Sequence, residues 1–100
     1  MDQPDDNPGD DVLLLAVGAK IRQFRLDAGM TQQQFAKAAG MSVQYAQRVD
    51  AGQQNLSLRS LSRVAIALRT TMSALLEGVA ADPGSLGTRS WIRRGEDSGS

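Results

Sequence analysis

Three prolines occur in this 100-residue chain, Pro4, Pro8 and Pro83, and none of them falls between residues 12 and 79. That block contains no proline to interrupt a helix, and it is rich in Ala, Leu, Gln and Arg, which favour one. Glycine supplies the punctuation instead. Gly29, Gly40 and Gly52 stand 11 and 12 residues apart, each behind a short helical pattern, as stop glycines do. No strand-like alternation and no internal repeat interrupts the series. A chain of this length forms one domain, so the expectation is an all-α bundle.

Apolar spacing sets the number of helices. Leu14, Val17, Ile21, Phe24 and Ala28 recur every three or four residues and predict a first helix over about 12–28. Thr31-Gln-Gln-Gln34 has the form of a capping box opening a second, with Phe35, Ala36 and Ala39 on its inner face. Ser42 caps a third that runs through Val49 and is closed by Gly52. Ser57 caps a fourth, where Leu58, Leu61, Val64, Ala65 and Leu68 form one apolar stripe. Thr71 starts a short fifth that carries Met72, Leu75, Leu76 and Val79.

Charge is distributed less evenly than its sum suggests. Eleven bases and eleven acids cancel. Residues 1–11 hold five aspartates and no base, a net −5, whereas residues 12–79 hold eight bases and three acids, a net +5. Residues 80–100 balance three against three. The organisation expected is an acidic disordered leader over 1–11, a basic helical domain over 12–79 and a flexible tail over 80–100. A basic domain suits a polyanionic partner.

Several function classes fall away. The chain has no Cys and no His, so thiolate zinc sites, cysteine nucleophiles and the commonest general base are excluded. The three acids of the central block lie far apart in sequence, and neither an enzyme nor a metal or cofactor site is expected. Val12 to Val17, the longest apolar run, is too short to span a membrane, and its acidic leader does not suit a signal peptide. A cytoplasmic protein without a membrane partner is the expectation.

The segment from Thr31 to Gly52 carries the functional signal. Two helices of about eight residues are joined by Ala39-Gly40-Met41-Ser42, a turn that Gly40 can make sharp. Ala36 lets the helices approach closely, and Ala46 and Val49 face inward, which is the packing of a helix-turn-helix. Val17-Gly-Ala-Lys-Ile-Arg-Gln-Phe-Arg25, Gly29-Met-Thr-Gln32, Phe35-Ala36, Ala39-Gly40-Met41-Ser42, Arg48-Val-Asp-Ala-Gly52 and Asn55-Leu-Ser-Leu58 together resemble the phage-repressor-like (Cro/cI, Xre) helix-turn-helix family. The resemblance covers residues 13–77. Residues 54–58 further resemble the controller proteins of restriction–modification systems.

The resemblance implies a five-helix, lambda-repressor-like domain that binds double-stranded DNA as a homodimeric repressor or autoregulator of a palindromic operator. The third helix would enter the major groove, with Val43, Gln44, Tyr45, Gln47 and Arg48 as base readers. Gln44 can pair bidentately with adenine, Arg48 with guanine, and Val43 can touch a thymine methyl. Gln32, Gln33 and Ser42, with Gln53, Gln54 and Asn55 after the third helix, would contact phosphates. Arg25 and Asp50 match a family ion pair of structural role. Four positions depart from the family pattern: Asp50 for glutamate, Ala46 for a larger aliphatic, Leu56 for proline and Arg69 for glycine.

Ile66, Met72, Leu76 and Val79 exceed what so small a core needs, and are the expected dimer interface. Ile66 in particular lies off the fourth helix's stripe. Other readings stay open. The glutamines of 31–54 also suit an ordinary soluble helix surface. The chain could be an antitoxin that binds a protein partner through its C-terminal tail, or an interaction module that has lost DNA binding. Trp91-Ile92-Arg93-Arg94 could pack on a neighbouring subunit, track DNA as a basic arm, or be an unstructured stretch.

Overall fold

Every helix begins at a residue whose side-chain oxygen accepts the backbone N–H three positions on. The computed structural model describes residues 11–81, and in them the caps are Asp11, Thr31, Ser42, Ser57 and Thr71. They open α1 (Val12–Asp27), α2 (Gln32–Ala39), α3 (Val43–Asp50), α4 (Leu58–Ala67) and α5 (Met72–Leu76). No strand occurs among the described residues. At Thr31 the capping box is complete, since the Gln34 side chain also accepts the Thr31 N–H at 2.8 Å. Asp11, grouped with the acidic leader on sequence grounds, instead caps α1 by accepting from Leu14 N at 3.1 Å. The expectations for the rest of the leader and for the tail beyond Ala81, including Trp91–Arg94, lie outside the described residues.

Helix ends repeat one device four times. The N–H of a residue two or three past each end bonds back to a carbonyl five residues earlier: Met30 to Arg25, Met41 to Ala36, Gln53 to Arg48 and Thr70 to Ala65. This closure needs a left-handed residue just before it. That residue is Gly29, Gly40 or Gly52 in the first three, but Arg69 in the fourth, at φ 58°. A Cβ at such a φ is strained. The arginine that departs from the family pattern thus stands where the geometry asks for glycine.

Ile21, Phe35, Val49, Val64 and Leu75 are fully buried and bring all five helices onto one core. Ala36, Ala39 and Ala46 let α2 and α3 close on one another, and α2 also packs on α4 while α5 bridges α1 and α4. Three details differ from the apolar spacing. Leu58 is the first residue of α4 and is 76% exposed, so the stripe begins at Leu61. Ala28, the C-cap of α1, is also exposed. Helix α5 ends at Leu76, because Glu77 is extended and Gly78 has φ 77°; Val79 therefore lies beyond it.

Glycines also set the distance between α1 and α3. A Cβ on Gly18, in the middle of α1, would stand 2.7 Å from Gly52 Cα and N and 2.9 Å from the Val49 carbonyl oxygen. On Gly52 it would stand 2.7 Å from Leu15 Cα. Backbone meets backbone there, so neither glycine can take a side chain without moving a helix. An interior helical glycine is unfavourable by about 1 kcal/mol relative to alanine, and close approach is what offsets that cost.

Candidate nucleic-acid interface

The α2–turn–α3 unit is held from below by one buried ion pair. Arg25, near the end of α1, donates from Nε to Asp50 Oδ1 at 3.1 Å and from Nη2 to Asp50 Oδ2 at 3.0 Å. Its third nitrogen, Nη1, donates to the Met30 carbonyl at 2.7 Å. Gln32 Nε2 adds a bond to Asp50 Oδ2 at 3.2 Å. One carboxylate at the end of α3 thereby ties together α1, the α1–α2 turn and the first residue of α2. The planar fork of arginine makes such a contact directional, so the pair fixes the angle at which α3 leaves the core.

What that angle presents is the outer face of α3. Successive residues of a helix are about 100° apart, so Gln47, Gln44 and Arg48 fall within an arc of roughly 100°, opposite Ala46 and Val49. All three are exposed, while Ala46, Val49 and Asp50 are buried. Val43 and Tyr45 flank the arc; each is half-buried and packs against the core. The five residues expected to read bases thus form a polar centre with an aliphatic margin on one side and an aromatic one on the other. No acidic side chain interrupts it, since Asp50 is turned inward.

Two of these side chains are occupied within the chain. Arg48 Nε donates to Gln54 Oε1 at 3.1 Å, and its guanidinium lies 5.7 Å from the centroid of the Tyr45 ring. The link joins α3 to the loop that carries Gln53, Gln54 and Asn55, so the expected base readers and loop contacts lie side by side. Gln53 and Asn55 are exposed and Gln54 is half-buried. Ser42 accepts from Tyr45 N at 3.0 Å as the N-cap of α3. Gln33 is exposed in the first turn of α2, whose leading N–H groups are not consumed by the capping box. The bond from Gln32 to Asp50 gives that side chain a structural partner which sequence reasoning did not foresee.

The residues expected to form a dimer interface separate into two settings. Ile66 is 72% exposed on the outside of α4. Met72 is half-buried against the core, whereas Leu76 and Val79 line a groove shared with α1 and the α3–α4 loop. Gly18 and the Arg48–Gln54 link were missed from sequence; an interior helical glycine was the available signal for the first, and the second had none. Among the described residues no cluster of three or more His, Cys, Asp or Glu could hold a metal ion, and no helix is long and apolar enough to cross a membrane.

Comparison with known proteins agrees with this arrangement. The family described as helix-turn-helix (HTH_3) matches residues 21–75. Among solved structures, the restriction-modification controller protein C.AhdI from Aeromonas hydrophila is similar at 31% identity, with 62% of this chain and 94% of that chain covered and a TM-score of 0.60. The controller protein C.Esp1396I is similar at 26% identity, covering 70% and 92%, with a TM-score of 0.64. The clp gene regulator ClgR from C. glutamicum is similar at 30% identity, covering 80% and 100%, with a TM-score of 0.65. No curated protein matches the chain.

Proposed function

The chain belongs to the Cro/cI-like helix-turn-helix family, and we propose that it is a DNA-binding transcriptional regulator that reads a specific duplex through α3. The observation that carries this reading is the outer face of α3. Gln44, Gln47 and Arg48 lie exposed on one arc, free of acids, on a helix whose inner face is locked by Ala46, Val49 and the Arg25–Asp50 pair.

In the major groove Gln44 and Gln47 offer the paired donor and acceptor that adenine presents, and Arg48 the fork that guanine accepts. Val43 and Tyr45 give apolar contact at the margins. To act so, Arg48 exchanges its bond to Gln54 for a base or a phosphate; Gln54 is then released beside Gln53 and Asn55 toward the sugar–phosphate backbone. The first-turn N–H groups of Gln32 and Gln33, and Ser42, approach phosphates of the same half-site, helped by the positive end of α2. The net positive charge of residues 12–79 supplies the sequence-independent part of the attraction.

The reading extends to a homodimer joined through the α4–α5 side, with Ile66 as its most exposed apolar residue and Met72, Leu76 and Val79 as its other candidates. Two-fold symmetry would place two α3 helices about 34 Å apart, matching a palindrome with half-sites one turn apart. Selecting bound sequences from a random duplex library tests binding, symmetry and spacing together. An enriched palindrome is the expected result; a library that emerges unenriched refutes sequence-specific binding. Sedimentation tests the seam, since Ile66→Glu should shift the protein to monomer, and a monomer at tens of micromolar in both forms would remove it.

A further inference from the structure

The groove between α1, α5 and the α3–α4 loop encloses about 390 Å³ and is lined by Leu13, Val17, Leu56, Leu61, Leu76 and Val79. Among the described residues its polar lining is confined to Gln54 and Asn55, and no charged side chain of theirs lines it. The backbone also leaves the described region here, for Ala80 and Ala81 are themselves part of the wall. We propose that this groove is the docking site of the chain's own C-terminal segment, with Trp91 and Ile92 inserted as its apolar anchor.

Three observations favour this occupant over a second copy or an unrelated partner. First, Trp91-Ile92 is the one adjacent pair of large apolar side chains in residues 82–100, which otherwise hold Leu86 among Asp, Gly, Ser, Thr, Arg, Glu and Pro. An uncharged groove selects such a pair, and its volume lies within the range that takes a group of this size. Second, the tether is short. Nine residues lie between Ala81 and Trp91, and the ten steps span at most roughly 35 Å when extended. Starting from the groove's own wall, that is ample for the chain to turn back. A short tether holds its end at an effective concentration of the order of millimolar, which a free partner rarely reaches. Third, Ile66 and Met72 lie outside the groove lining, so a tail that fills the groove covers Leu76 and Val79 and narrows the proposed dimer seam to Ile66 and Met72.

Docking in the groove has a consequence for the rest of the molecule. Gln54, Asn55 and Leu56 form one wall, Gly18 and Val49 contribute to the floor, and an occupied groove braces the loop that follows α3.

Trp91 is the chain's single tryptophan, so its fluorescence reports docking directly. In the full-length protein we expect emission blue-shifted from that of a synthetic peptide of residues 82–100. We expect an acrylamide quenching constant several-fold lower than the peptide's, unchanged on hundred-fold dilution. Leu13→Asp, in the groove wall and outside the proposed dimer seam, should raise quenching toward the peptide value while far-UV circular dichroism stays helical; Leu56→Asp serves if Leu13→Asp unfolds. Peptide-like emission and quenching in the unaltered protein would overturn the proposal. So would shielding that disappears on dilution, which would assign Trp91 to a second copy, or shielding that persists in both folded groove variants. No DNA is present in the assay, so its outcome is independent of the reading given to α3.

Discussion

Replacing Asp50 by alanine tests the support beneath α3. The substitution removes both acceptors of the Arg25 fork, at 3.1 and 3.0 Å, and leaves the guanidinium with the Met30 carbonyl alone. The two side chains are 9% and 4% exposed, so water cannot take over the missing role. Breaking a buried pair by removing one partner costs about 3–5 kcal/mol, because the other charge stays in place uncompensated. Against the total of about 5–15 kcal/mol expected of a domain this size, that is roughly a fifth of the stability or more. Gln32 also loses its partner, but it is half-buried and can turn to solvent. Urea titrations followed by far-UV circular dichroism, at one fixed protein concentration, measure the loss. The double variant Arg25→Met, Asp50→Leu removes both charges and should lie within about 2 kcal/mol of the unaltered protein, since apolar replacement of a buried pair is often neutral. A loss below about 1 kcal/mol for Asp50→Ala, or a double-variant loss equal to the sum of the losses of Arg25→Met and Asp50→Leu made singly, would refute the claim that the pair is buried and mutually dependent.

Other consequences are more local. Gly18→Ala should destabilise by about 1–3 kcal/mol, as overpacking does, because its Cβ meets backbone at 2.7 Å; thermal unfolding at or above the original midpoint would contradict the contact. Arg69→Gly should stabilise by about 1 kcal/mol in the same urea assay, by relieving the left-handed arginine at φ 58°, and a loss would mean that its side chain makes a compensating contact. Deleting residues 1–10 removes four aspartates and should tighten binding to random duplex at low salt; unchanged affinity would make those residues only a solubilising segment.

Local rules made much of the fold legible. A serine or threonine before each of α2 to α5, and the glycines after α1 to α3, mark the helix boundaries, because capping and left-handed closure are chemistry of single residues. Apolar spacing failed where position on the helix overrides periodicity. Leu58 matches the stripe of α4 by angle, but it stands in the first turn, where the helix has not yet reached the core. Val79 matches α5 by angle, yet Gly78 turns the chain before it. The Gly18–Gly52 contact joins residues 34 apart in sequence, and no periodicity within either segment reports on it. In the candidate site, the outer-face residues of α3 were expected from the family resemblance, with spacing supplying only the inward faces of Ala46 and Val49. The bonds of Gln32 to Asp50 and of Arg48 to Gln54 depend on how α2, α3 and the loop meet, and sequence held no sign of them.

Gln44 offers the most direct test of sequence reading through the outer face of α3. Fluorescence anisotropy would compare unaltered protein with Gln44→Ala on a selected operator and on random duplex, across a series of salt concentrations. The account predicts a loss of about 1–3 kcal/mol on the operator, little change on random duplex, and the same salt slope for both proteins, since no phosphate contact is removed. Equal losses on both duplexes, or none on the operator, would contradict base reading by this helix.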